Sequence, residues 1–204
     1  MIQALKIRNR EVITRLDLMA KTVYKQPASY NQAPKPNITL ARLRTAMAAN
    51  DGKHELTNNI DYVGRESPDG GADFGRLRNI FRNIICSKTG TQQWYWDTYM
   101  AQVPYWGWTG WNNSKGKGKM FLRFIHNSGR GETRYVSKGR YKKIPDQHSV
   151  YNADWTLLIG EQDGIDDWMA DRNYNKKPRC VLELAIPSTN KVAWQEACDY
   201  VNSV

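Results

Sequence analysis

The sequence predicts an α+β fold: N-terminal helices, then a mainly antiparallel four-stranded sheet in the order β-β-β-α-β-α, with the helices on one face. Three observations predict it. Apolar residues recur at steps of three and four as far as residue 102. From residue 119 the period falls to two, and after residue 190 helical spacing returns.

The first element is a helix over residues 2–24. Ile2, Leu5, Asn9, Val12, Leu16, Met19 and Val23 follow the a and d spacing of a heptad, with a lone Asn of the kind that fixes register in paired helices. Such a seam serves either a homodimer through residues 2–24 or packing on the helix's own domain, since Ile7, Ile13 and Leu18 lie off it. Residues 1–24 thus read as an N-terminal helix and oligomerisation arm, residues 25–38 as a proline-rich linker, and residues 39–204 as a single α+β domain. Within that domain an Ala/Leu/Arg-rich helix runs from residue 39 to an Asn-Asp-Gly stop at residues 50–52. Residues 53–73 form a polar, turn-rich connection.

Phe74, Leu77, Ile80, Phe81, Ile84 and Ile85 make one face of a helix over residues 74–87. A further helix is expected over residues 91–102, where Trp94, Tyr95, Thr98 and Tyr99 meet at i,i+4, and Pro104 stops it. KMFLRFIH, residues 119–126, is a strand apolar on both faces and so interior to a sheet. NSGRG turns the chain into a second strand over residues 132–144, hairpin-paired with the first. Strands follow at 155–161 and 180–186, separated by a short helix at 165–173 whose first turn is acidic. Ser188 or Thr189 is the expected cap of a closing helix that buries Val192, Trp194, Ala197, Tyr200 and Val201.

Charge carries the functional signal. The net charge is +10, and residues 115–143 alone contribute +9, against −5 for residues 144–204. A focused positive segment attracts phosphates more strongly than the same charge spread evenly. Strand alternation puts Arg134, Lys138, Arg140 and Lys142 on one face of the second strand, with Tyr135 and Tyr141 on the other. Ahead of them lie Lys115, Lys117 and Lys119 in a glycine-spaced run. Five of the eight tryptophans fall within residues 94–111. Trp94 and Trp96 read as core, whereas Trp106, Trp108 and Trp111 stand among Gly, Thr and Asn as candidates for stacking on bases.

These features support a non-catalytic protein that binds DNA or RNA along the phosphate backbone through a basic hairpin within residues 115–143. The alternative is a structural or interaction protein, such as an assembly component or inhibitor of viral or mobile-element origin. It would dock on an acidic protein partner through the tryptophan-rich loop.

Catalytic motifs are sparse. His54, His126 and His148 have no partner at metal-ligand spacing, and no P-loop or nucleophile-elbow pattern occurs, so no cofactor is expected. Asp154, Glu161 and Asp163, with Asp166 and Asp167 beyond them, are the weak catalytic candidates. Together with the expected order helix-β-β-β-helix-β after residue 91, they give a topology that resembles the PD-(D/E)xK nucleases. That resemblance implies a Mg²⁺ site, but the motif's lysine is missing after Glu161 and the second strand holds no Asp. Cys86, Cys180 and Cys198, with no CxxC pair, read as free thiols of a reducing compartment, one disulfide being the alternative. No run reaches the roughly 18 apolar residues of a membrane span, and the charged start lacks a secretory signal's apolar stretch. A cytoplasmic location is the expectation.

Overall fold

The computed structural model describes residues 2–25, 41, 45, 48–49, 55–56, 72, 75–76, 79–81, 83, 97–103, 111–112, 118–126, 131–138, 140–146, 154–162, 167–174 and 179–204. Ten strands and two long helices organise them. In chain order these are β1 (Gln3–Leu5), α1 (Arg10–Val23), β2 (Glu55–Leu56), β3 (Asp97–Val103) and β4 (Trp111–Asn112). Then come β5 (Lys119–His126), β6 (Gly131–Ser137), β7 (Arg140–Pro145), β8 (Trp155–Gln162), β9 (Trp168–Asn173), β10 (Arg179–Pro187) and α2 (Lys191–Asn202).

The strands form two five-stranded antiparallel sheets, ordered β1-β8-β5-β10-β3 and β2-β4-β9-β6-β7. Strands β1 and β2 extend one edge each. The remaining eight pair as 8-5-10-3 facing 4-9-6-7, the interlocked Greek keys of a jelly roll. This overturns the expected α+β fold with a single four-stranded sheet.

Two segments read as helix are strands. Residues 97–103 form β3, in register with β10 from Asp97↔Ala185 to Val103↔Arg179. Residues 168–173 form β9, clamped between β4 and β6, although Met, Ala and Arg favour helix. Pairing on both sides and burial outweigh that local preference. The helix-β-β-β-helix-β order behind the nuclease resemblance therefore does not exist here. Nor does β5 form a hairpin with β6: β5 lies between β8 and β10, and β6 between β7 and β9 in the other sheet.

The first sheet is apolar on both faces because both are covered. Leu122, Phe124, Leu157, Ile159, Leu182 and Leu184 point towards the helices, where they meet Val12, Leu16 and Met19 of α1 and Ala197, Cys198 and Val201 of α2. Phe81 joins this core, its ring 6.0 Å from Phe124 and 6.4 Å from Tyr200. On the opposite face Phe121 and Ala185 meet Tyr135 and Met169 of the second sheet, and Ile125, Leu158 and Val181 pack with Ile144. Among the described residues the layers run helix, sheet, sheet.

The N-terminal segment differs from the expected helix over residues 2–24. Residues 3–5 pair with Ile159, Leu158 and Leu157 of β8, and the helix starts only at Arg10. Asn9 is its N-cap, accepting hydrogen bonds from the backbone N–H of Glu11 (3.1 Å) and Val12 (3.2 Å). The same side chain donates to the carbonyl of Tyr200 at 3.2 Å and to Ser203 Oγ at 3.1 Å, tying the start of α1 to the end of α2. Val12, Leu16 and Met19, the centre of the heptad seam, are fully buried in the chain's own core.

At the other end α2 begins at Lys191, and Asn190 rather than Ser188 or Thr189 holds the cap position. In the helices expected at 39–52 and 74–87, the described residues 41, 45, 48, 75–76, 79–81 and 83 are helical. Most of the expected linker, residues 26–38, lies outside the described residues. Among the described residues no helix is long and apolar enough to cross a membrane.

Candidate nucleic-acid interface

The expected basic strand over residues 132–144 is two strands. The last pair is Ser137↔Arg140, so two residues separate β6 from β7, and Lys138 is the first of them. Lys138 has φ 46°, the left-handed conformation that two-residue hairpin loops require of their first residue.

This turn reverses the expected distribution of side chains. Directly paired residues on antiparallel strands share a face, and Arg134 pairs with Lys143, Tyr135 with Lys142 and Val136 with Tyr141. Arg134, Tyr141 and Lys143 therefore lie on the outer face of the second sheet. Arg140 and Lys142 lie on the other face with Tyr135. A single strand would have kept all the even-numbered cations together; the two-residue loop exchanges odd for even.

Strand β7 is the edge of its sheet, and Lys138, Arg140, Lys142 and Lys143 are exposed along it. Lys138, Arg140 and Lys142 have no ion-pair partner among the described residues. Cations on an edge strand discourage edge-to-edge pairing of chains.

Arg134 is differently placed. Its Nε donates to Glu132 Oε1 at 2.6 Å and its Nη2 to the Tyr174 hydroxyl at 3.0 Å, while that hydroxyl donates to Glu132 Oε1 at 2.8 Å. Burial works to raise the Glu132 carboxyl. The hydrogen bonds from Tyr174 and Arg134 and the charges of Arg134 and Lys143 outweigh it and hold the group below the ordinary carboxylate value. Burial pushes the Tyr141 phenol up, and burial together with the bond to Glu132 does the same for Tyr174. The guanidinium of Arg172 sits over the Tyr174 ring at 4.9 Å.

Lys119 is turned inward. Its Nζ pairs with Glu183, whose other oxygen accepts from Arg123 Nε at 2.9 Å. Arg123 Nη1 continues to Asp171 Oδ2 at 2.9 Å, and Arg179 bridges Asp171 Oδ1 (2.8 Å) and Asp146 (2.6 and 2.8 Å). Thr133 Oγ1 donates to Asp171 Oδ1 at 2.9 Å. Charges thus alternate in sign along a chain that joins β5 and β10 of one sheet to β9 and the end of β7 in the other. Burial opposes ionisation of Asp171 and Glu183, but Arg123 with Arg179, and Lys119 with Arg123, hold both carboxyls below their ordinary values. The sequence carried a signal for this network that its reading passed over. Arg123 and Glu183 are lone, opposite charges in the middle of two otherwise apolar strands, and apolar strands tolerate such charges only in pairs.

Of the tryptophan candidates, Trp111 is 1% exposed, and its ring lies 6.3 Å from that of Tyr141. It is not a surface stacking residue. Its indole N–H meets no acceptor among the described residues. Trp106, Trp108, Lys115 and Lys117 lie outside the described residues, as do Trp94 and Trp96. The acidic candidates are dispersed. Asp154 is exposed in the turn before β8, Glu161 is half-buried within β8, and Asp167 is buried and accepts from the Tyr135 hydroxyl at 2.8 Å. Asp163 and Asp166 lie outside the described residues. Among the described residues no three His, Cys, Asp or Glu side chains gather as a metal-binding set.

No protein-family model matches the chain, and no curated protein sequence does. Solved structures with local similarity include a dTDP sugar isomerase from Desulfovibrio desulfuricans G20, at 10% identity and a TM-score of 0.31, covering 66% of this chain and 73% of the other. EvdMO1 matches at 9% identity and a TM-score of 0.39, over 92% of this chain and 55% of its own. The capsular polysaccharide assembling protein CapF from Staphylococcus aureus matches at 8% and 0.24, over 85% and 57%. With every TM-score below 0.5, these likenesses carry no inference about this chain.

Proposed function

We propose that this chain binds nucleic acid along the phosphate backbone through the β6–β7 ribbon, without catalysing a reaction. The observation that carries the reading is the row of exposed cations Lys138, in the turn, and Arg140, Lys142 and Lys143 on the edge strand that follows, the first three with no ion-pair partner among the described residues. Arg140 and Lys142 stand about 7 Å apart along β7. An extended ribbon of this kind can lie in a groove or follow a backbone. Lys119 and Arg134 leave the contact set as free cations, because each is already committed to a carboxylate. The jelly-roll order adds nothing to the choice, since that architecture hosts unrelated functions.

Four phosphate contacts predict that log K falls with log salt at a slope of about −3 to −4 on duplex DNA. The test is anisotropy of labelled duplex and single strands at several salt concentrations, with Arg140→Glu/Lys142→Glu alongside the parent protein. Steep salt dependence abolished by the double reversal supports the reading. Binding that survives the reversal, or no binding at low salt, refutes it and leaves an acidic protein as the partner to seek.

A further inference from the structure

On the reading that the ribbon binds nucleic acid, we infer that the outer face of the second sheet holds a nucleobase-stacking subsite built from Tyr141 and Tyr174, which makes single-stranded nucleic acid the preferred ligand. The sheet register brings the parts together. Tyr141 is paired with Val136, next to the Arg134↔Lys143 pair, and Arg172 stands opposite Glu132 on the neighbouring strand. Tyr174 follows β9 directly and is hydrogen-bonded to both Glu132 and Arg134.

Both tyrosines are half-buried: the buried Trp111 ring, which the register places on the same face, lies 6.3 Å from the Tyr141 ring, and the Arg172 guanidinium sits over the Tyr174 ring. A ring held in this way loses little freedom when a base stacks on it. Three cations, Arg134, Lys143 and Arg172, surround the two rings against the single carboxylate of Glu132. Lys143 is exposed and within reach of a phosphate attached to a stacked base. A base inside a duplex has both faces covered by its neighbours, whereas an unpaired base presents a free face to an aromatic ring. The stacking expected of Trp111, which is buried, thus falls to two tyrosines within reach of the basic strand.

The test compares three probes of equal length: a single strand, its duplex, and a single strand whose central nucleotides are abasic. DNA and RNA forms are run separately, because stacking alone does not tell the two sugars apart. The parent protein should bind the base-bearing strand roughly tenfold more tightly than the abasic one. Tyr141→Leu should erase that preference without changing the salt slope, and Tyr141→Phe, which keeps the ring, should retain it. Arg140→Ala/Lys142→Ala should weaken base-bearing and abasic strands equally. Equal binding of abasic and base-bearing strands by the parent, or an undiminished preference in a folded Tyr141→Leu, overturns the subsite while leaving backbone binding intact. A base preference that depends on Tyr141 but ignores Arg140 and Lys142 sustains the subsite and refutes the ribbon. Absence of any binding refutes both.

Discussion

Arg123 and Asp171 meet at 2.9 Å in the interior between the two sheets, both side chains almost wholly removed from water. Such a contact is unlike a surface ion pair: each charge depends on the other for the solvation it has lost. Arg123→Met would leave Asp171 with Arg179 and Glu183 with Lys119, but without the guanidinium that links them. The expected loss is about 3–5 kcal/mol of unfolding free energy. Urea denaturation measures it, and a loss under about 1 kcal/mol would show that the network orders the interior without stabilising it.

The same network sets the acid limit. Asp171, Glu183 and Glu132 all have folded carboxyls held below their ordinary values. For a depressed group the unfolded chain takes up protons first as acid is added. The stabilisation is therefore complete above the unfolded range of about pH 4 and is lost as pH falls through the depressed folded values. Thermal midpoints measured downwards from pH 6 should fall most steeply below about pH 4. Asp171→Asn should flatten that decline, and an unchanged slope would exclude Asp171 as its source.

Asn9 makes two kinds of contact that substitutions can separate. Asn9→Ala removes the cap and both links to α2, and should cost about 1–2 kcal/mol. Asn9→Asp keeps a capping oxygen but cannot donate to Tyr200 or Ser203, so its melting temperature should fall between the parent and Asn9→Ala. Equal values for the two variants would mean that the cap contributes nothing.

Two glycines admit no side chain, for unequal reasons. A methyl group at Gly131 would lie 2.6 Å from Arg179 Cδ and 2.7 Å from its Nε, and Arg179 is pinned by Asp146 and Asp171. At Gly118 the nearest atom, 2.5 Å away, is the Ser188 hydroxyl oxygen, which can rotate. Gly131→Ala should destabilise by about 1–3 kcal/mol and Gly118→Ala by clearly less. The reverse order in denaturant midpoints would refute the account.

Cys180 and Cys198 are free thiols in the layer between the first sheet and the helices, and burial pushes both up to about 12. The thiolate is the nucleophile, so neither should react with iodoacetamide at pH 8 in the folded chain. Peptide mass spectrometry should find both alkylated once urea unfolds it. Labelling under native conditions would show that the helix layer opens.

What could be read from the sequence follows from which patterns are local. The strands at residues 119–126, 155–161 and 180–186 announce themselves because burial on both faces leaves a continuous apolar run. Strand β9 does not, since WMADRN is written in helix-favouring residues and becomes a strand only when β4 and β6 enclose it. Sheet membership is less local still. Nothing within residues 119–144 reveals that β5 and β6 belong to different sheets, because the partners that separate them lie at residues 155–187. The basic ribbon was legible as a concentration of charge. Its sidedness was not, because that depends on how many residues the chain spends in one turn.

That count has a consequence for the shape of the positive field. A loop of odd length between β6 and β7 would give a plate, with Arg134, Arg140 and Lys142 all on one side and Lys143 alone on the reverse. The two residues between Ser137 and Arg140 give a blade instead, cationic along its edge and on both flanks. A polyanion meeting a plate must arrive from one direction and lie flat. One meeting a blade can fold over the edge, touching Arg140 and Lys142 on the near flank and Lys143 beside Tyr141 on the far one.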